Sequence, residues 1–278
     1  MTISEGSPNI DRVIDSLIEL WQEFQNMQQN QNVEDEKKNR DLAMGFLNCA
    51  KDDIRAVKIL YEKQLLSLSV YHLQQAVEKT TKAYALALSV VTTRELKEIK
   101  HKGPLTFIKL LKKKWAMAYI NLVKTLNPNV NVNIIDKVEK IINKEQKELA
   151  EMPKTVICTY LNSVKQMRNI LQKQMYPQID KAINLLEPLL HEETENLKKA
   201  IDAALRTGIV ASFISLYLLS VITYSHSTFT RYPDGEIKPS DYYSRRLEIV
   251  ECINDILSEV EICVNALEQE YGLKGGYE

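Results

Sequence analysis

DLAMGFLNCAKDDIRAVKILYEKQLLSLSVYHLQQAVEKTTKAYALALSVV, residues 41 to 91, decides the fold. Within it Ala43, Phe46, Leu47, Ala50, Ile54, Val57, Leu60 and Tyr61 keep the three- and four-residue spacing of one helical face. Lys51, Asp52 and Arg55 fall on the opposite face. After a short break near Glu62, Lys63 and Gln64 a second stripe follows: Ser69, Val70, Leu73, Ala76, Val77, Thr80, Ala83 and Ala87. Small residues alternate with large ones in it, which lets a neighbouring helix approach closely. Two long helices joined by so few residues fold back antiparallel, so this hairpin is predicted to open a helical bundle.

Toward the N-terminus, Ile10, Val13, Ile14, Leu17, Ile18, Trp21, Phe24 and Met27 mark an amphipathic helix. The polar run QNMQQNQNVEDEKKNR that follows, residues 25–40, is either a solvated helical extension or a linker. Beyond the hairpin, Thr92 to Pro104 reads as a polar connection, and Gly103-Pro104 restarts a short helix, LTFIKLLKKKW. Residues 115–192 carry weaker stripes broken at Pro128, Pro153, Pro177 and Pro188, a pattern of modest helices joined by loops. A helix of about nine turns is predicted from Glu193 to Ser225, charged at its start and wholly apolar at its end. The loop TRYPDGEIKPS contains a Pro-Asp-Gly turn signal, and the last helix is predicted from Asp241 to Gln269 with Ser240 and Asp241 as its N-cap. Its stripe is Leu247, Val250, Ile253, Ile256, Leu257, Val260, Val264 and Leu267. No segment has a convincing strand period, so the fold class is all-α.

Apolar residues make up 45% of the 278 and charged ones 26%, with a formal net charge of -1. That balance excludes disorder and wholesale coating of nucleic acid. Eight glycines are too few for a turn-rich β architecture, and no Walker or dinucleotide glycine pattern occurs, so no cofactor is expected. Cys49, Cys158, Cys252 and Cys263 form no CxxC pair and read as buried free thiols of a reducing cytoplasm. No two His or Cys come at ligand spacing, so no metal is expected. The N-terminus has no secretory signal pattern. Gly208 to Ser225 is uncharged and long enough to raise a membrane span, but Ser212, Ser215, Ser220 and Thr223 dilute it and no second span accompanies it. A buried core helix, and no membrane, is the expectation.

Three stretches, in order, resemble the HEPN superfamily of helical-bundle proteins: AKDDIRAVKILYEKQLLSLSVYHLQQAVEKTTKAYAL at 50–86, HKGPLTFIKLL at 101–111, and TRYPDGEIKPSDYYSRRLEIVECINDIL at 230–257. The resemblance implies an antiparallel four-helix bundle assembled from residues 41–113 and 193–278. An N-terminal helix and linker at 1–40 and a helical insertion at 114–192 would be added to it. It further implies a cytoplasmic homodimer that binds RNA or a nucleotide, of toxin or defence type. The alternative it offers is a non-catalytic module for dimerisation or for a partner such as a nucleotidyltransferase-like antitoxin.

Many HEPN proteins are metal-independent ribonucleases in which four to six residues separate an Arg from a following His. The histidine moves the proton and the arginine neutralises the developing phosphorane charge. Here Arg94 and His101 have that spacing, but they follow the second helix rather than the later junction. At the junction His226 precedes Arg231, the reverse of the family order. All four are candidate catalytic residues, and weak or absent cleavage is expected. Arg231 is equally readable as a loop residue pairing with Asp234. From Arg94 to Lys114 there are seven Lys and one Arg against two Glu. Lys97, Lys100, Lys102 and Lys112, with Arg231 and Tyr232, are therefore candidate phosphate contacts, beside the plainer reading of a solvated face. His72 reads as an interior or interface histidine, and Gln74 and Gln75 as residues bonding across a bundle or dimer seam.

Overall fold

The computed structural model describes residues 33–88, 91–99, 209–224, 226, 230, 238–244 and 247–270, with residues 12, 15, 16, 19, 22, 155, 157–159, 161, 162 and 165. Every regular element among them is a helix: α1 Val33–Glu62, α2 Leu66–Ala87, α3 Thr93–Ile99, α4 Ile209–Thr223, α5 Pro239–Tyr242, α6 Glu248–Glu251 and α7 Ile253–Glu270. Residues 12, 15, 16, 19 and 22, inside the expected N-terminal helix, are helical. The polar run is helical from Val33 onward, so that part of it extends α1. The expected helix at 105–115, most of 115–192 and the charged start of the helix at 193–225 lie outside the described residues.

The hairpin forms where its stripes place it, and the backbone at the turn shows how. Gln64 adopts a left-handed φ of 61°. Its N–H bonds the Tyr61 carbonyl and that of Leu65 bonds Leu60, the paired hydrogen bonds that close a helix C-terminus on a left-handed residue. The Gln64 side chain adds a bond to Tyr61 O. The chain then turns into α2, where Ser69 Oγ donates to Val57 O at 3.1 Å and fixes the two helices side by side.

Helix α2 is the centre of the molecule. The predicted stripe is buried except for the half-buried Ala87 at its end, and Gln74, Glu78, Thr81, Tyr84, Ala85 and Leu86 are buried too, because α2 packs against α1, α4 and α7 at once. Its buried hydroxyls are satisfied locally: Thr80 bonds Ala76 O and Thr81 bonds Val77 O. Thr81 also meets Ser220 of α4 at 3.2 Å, and the Tyr84 hydroxyl donates to Cys263 O of α7 at 2.8 Å. Helix α4 is the uncharged segment read as a core helix: Leu216, Leu218, Leu219, Val221 and Ile222 are all buried. Among the described residues no helix is long and apolar enough to cross a membrane.

Residues from both halves of the chain belong to one hydrophobic core, which includes Leu47, Val70, Leu73, Leu219, Ile253 and Leu267. Ile157 and Leu161, from the stretch read as an insertion, are buried in it as well. Helices α1 and α7 run antiparallel, since Lys51 pairs with Glu268 and Lys58 with Glu261, seven residues on along one helix and seven back along the other. Each fully buried leucine or isoleucine in this core contributes about 1.5–3 kcal/mol relative to exposure.

Three local expectations are corrected. The four thiols are free, but only Cys252 and Cys263 are buried; Cys158 is half-buried and Cys49 is exposed. Thr93–Ile99 is a helix rather than connection. Thr92 Oγ1 accepts from the Glu95 N–H at 3.2 Å while Glu95 Oε2 accepts from the Thr92 N–H at 2.9 Å, a reciprocal capping box. Leu96 and Ile99, three residues apart, anchor the helix to the core. The last helix does not run unbroken from Asp241. One turn, α5, ends at Tyr243, whose φ of -81° and ψ of 86° leave the helical region, and the chain re-enters helix only at Glu248. Ser240 Oγ bonds the Asp241 side chain and caps nothing.

Candidate functional site

The structure separates the candidate residues by environment. Arg94 and Lys97 stand exposed on α3, three residues apart and therefore on neighbouring sides of one turn. Lys100, His101, Lys102, Lys112, Arg231 and Tyr232 lie outside the described residues. Neither the Arg94–His101 pair nor the His226–Arg231 pair is therefore placed as a pair.

His226 itself is placed, three residues beyond the C-terminal end of α4 and only 2% exposed. Its Nδ1 lies 2.7 Å from the Tyr243 hydroxyl, and the two rings meet edge to face. Thr230 Oγ1 donates to the His226 carbonyl at 2.6 Å. Burial lowers the imidazole pKa to about 3. Burial, with the neighbouring Tyr242 adding to it, holds the Tyr243 phenol above its ordinary value. Both groups are therefore neutral at neutral pH, and a single hydrogen bond joins the phenol to Nδ1. Tyr243 makes this contact from the end of α5, where the chain leaves the helix.

A second polar cluster, which the sequence reading did not assemble, sits between α1 and α2. Asp53 lies within the apolar stripe of α1, and its side chain is 8% exposed. His72 Nδ1 lies 2.8 Å from Oδ1, and Lys79 Nζ lies 2.5 Å from Oδ2. Asp53 therefore takes one partner on each oxygen. Deeper along α2, Gln74 Nε2 and Lys82 Nζ both donate to Glu78, at 2.9 and 2.6 Å. Gln75 Nε2 donates to Gln74 Oε1 at 2.6 Å, and Lys82 lies 5.7 Å from the centre of the Phe46 ring. Gln74 and Gln75 thus bond each other and Glu78 within their own helix, while His72 is a half-exposed residue tied to a carboxylate. Asp53 was legible only as a charge on the wrong side of a helix: it falls three and four residues from Ala50 and Val57, both of which are buried.

Among the described residues no group of three or more His, Cys, Asp or Glu is placed to hold a metal ion. No family model, curated protein or solved structure matches the chain.

Proposed function

We propose that this chain is a HEPN-like helical module of the cytoplasm that binds RNA or a nucleotide and does not cut it. The observation that carries the reading is the burial of His226. A ribonuclease histidine has to exchange protons with substrate at neutral pH and reach a phosphate. A histidine sealed behind Tyr243 with its pKa pushed to about 3 does neither. The phosphate-binding half is supported separately by the exposure of Arg94 and Lys97 at the head of the lysine-rich stretch that includes Lys100, Lys102 and Lys112. Arg231 and Tyr232, in the RYPD motif, are the proposed contacts at the other end of the site.

The test is incubation of the purified chain with total RNA in EDTA, beside an Arg231→Ala variant. Binding without cleavage is expected, and it should weaken steeply with salt because phosphate contacts release counterions. Reversing the charge of Arg94 and Lys97 should weaken it further at every sequence tested. EDTA-resistant cleavage lost in His226→Ala would refute the reading, and cleavage lost in His101→Ala would assign activity to the Arg94–His101 pair.

A second reading, a dimerisation or partner-binding module such as one for a nucleotidyltransferase-like antitoxin, is favoured by one observation. Ile59, Leu65 and Leu68, 59%, 49% and 45% exposed, gather at the α1/α2 turn. Light scattering at twice the 32.0 kDa chain mass would support the homodimer, and a strict monomer would oppose it.

A further inference from the structure

The Asp53 cluster has a back and a front. Its carboxylate is 8% exposed, whereas the His72 and Lys79 side chains bound to it are 31% and 27% exposed. An approaching ligand therefore meets two nitrogen heads with the carboxylate behind them. Lys79 spends one of its three N–H donors on Asp53 and keeps two. In neutral His72 the bond to Asp53 places the ring proton on Nδ1, leaving Nε2 as an acceptor. Nε2 has no hydrogen-bond partner among the described residues. His72, Gln75 and Lys79 follow one face of α2 at helical spacing, and all three are half-buried.

A donor cation beside an outward acceptor selects its ligand by chemistry. A fully ionised anion such as sulfate can accept from Lys79 but brings no proton, so it engages Nε2 only after the ring takes one from solvent. A phosphate monoester, with its second ionisation at about pH 6, can bring that proton in its monoanionic form, and an acceptor beside it favours that form. Whether that proton rests on the phosphate or on the ring, the same N···H···O hydrogen bond forms. We propose that His72 Nε2 and Lys79 Nζ, positioned by Asp53, form a binding site for a phosphate monoester. This site is separate from the cations of α3 and does not rest on the function proposed above.

The test is a two-dimensional NMR titration of the full chain with inorganic phosphate at pH 7 and constant ionic strength, with sulfate in parallel. The His72 ring and the amides of residues 72–79 should shift and saturate with phosphate, and sulfate should bind about tenfold more weakly or not at all. His72→Gln and Lys79→Gln should each weaken phosphate binding by about tenfold or more. Lys79→Arg, which keeps the charge and the contact with Asp53, should retain it and shows that loss is not a folding defect. Arg94→Ala with Lys97→Ala should leave it unchanged. AMP and a 5′-phosphorylated oligonucleotide should each displace phosphate, and the stronger competitor tells a mononucleotide from an RNA end. Equal saturation by sulfate, no shift with phosphate, wild-type binding in the folded His72→Gln variant, or equal displacement by a control oligonucleotide of the same sequence with a 5′-hydroxyl end would overturn the proposal.

Discussion

His72 and His226 are the same side chain set to opposite ends. His72 is held by a carboxylate at the edge of the α1/α2 seam, with part of its ring in solvent. His226 is held by a neutral phenol inside the molecule. A charged partner is tolerable for His72 because Lys79 shares Asp53 and water reaches the rim. A neutral partner is what burial demands of His226, since an imidazolium there would be desolvated with no carboxylate beside it among the described residues. The contrast teaches that histidine's presence near a family motif says little about proton transfer. Its partner and its exposure decide.

The largest effect that sharpens this contrast is expected from His226→Ala. It opens a cavity and leaves the Tyr243 hydroxyl without its hydrogen-bond partner, at a cost of about 3 kcal/mol, readable in urea denaturation. Asp53→Ala comes next, at about 2 kcal/mol, because it leaves His72 and Lys79 without their shared acceptor while solvent at the rim compensates in part. If Asp53→Ala proves the costlier of the two, the ranking of burial over charge in this comparison fails. Tyr243→Phe follows at about 1–2 kcal/mol, the cost of losing the hydrogen bond to His226 Nδ1 whichever group donates it.

The pH dependence separates the two sites further. The pKa of His226 is lowered from 6.5 to about 3 by folding, so below 6.5 the unfolded chain binds a proton that the folded chain refuses. Stability contributed by neutral His226 is therefore complete above 6.5 and lost as the pH falls from there toward 3. The slope for this one group is about 1.4 kcal/mol per pH unit. His226→Gln should flatten that part of the profile, checked by denaturation midpoints across the acid range.

The smallest expected effect concerns the turn that aligns the seam. Gln64→Gly relieves a left-handed conformation but gives up the side-chain bond to Tyr61, for a net gain of about 0.5 kcal/mol, seen as a small rise in melting temperature. A loss instead would mean that the side-chain bond outweighs the backbone strain.

The core was legible because helical spacing carries it. The predicted stripe residues Ala43, Leu47, Val57, Leu73, Val77, Ile256 and Val260 are all buried. What failed were features set by one specific partner. The helix at Thr93–Ile99 rests on a capping box, Thr92 with Glu95, hidden in a stretch that reads as polar connection. The break at Tyr243 coincides with its hydrogen bond to His226, 17 residues earlier in the chain, and periodicity carries no record of that pairing. Asp53 is the same kind of case. Its spacing points inward, its charge points outward, and only His72 and Lys79 on the neighbouring helix resolve the conflict. The candidate site was legible as a set of residue types and not as an environment, which is why a histidine weighed for catalysis turned out to be sealed inside.

The most direct test of this account is the ring NMR signal of His226 followed from pH 8 to pH 4. A neutral ring is expected throughout, unchanged while the protein stays folded. A proton taken up with a midpoint near the ordinary 6.5 would show that the ring meets solvent, and the assignment of His226 to structure rather than chemistry would be wrong.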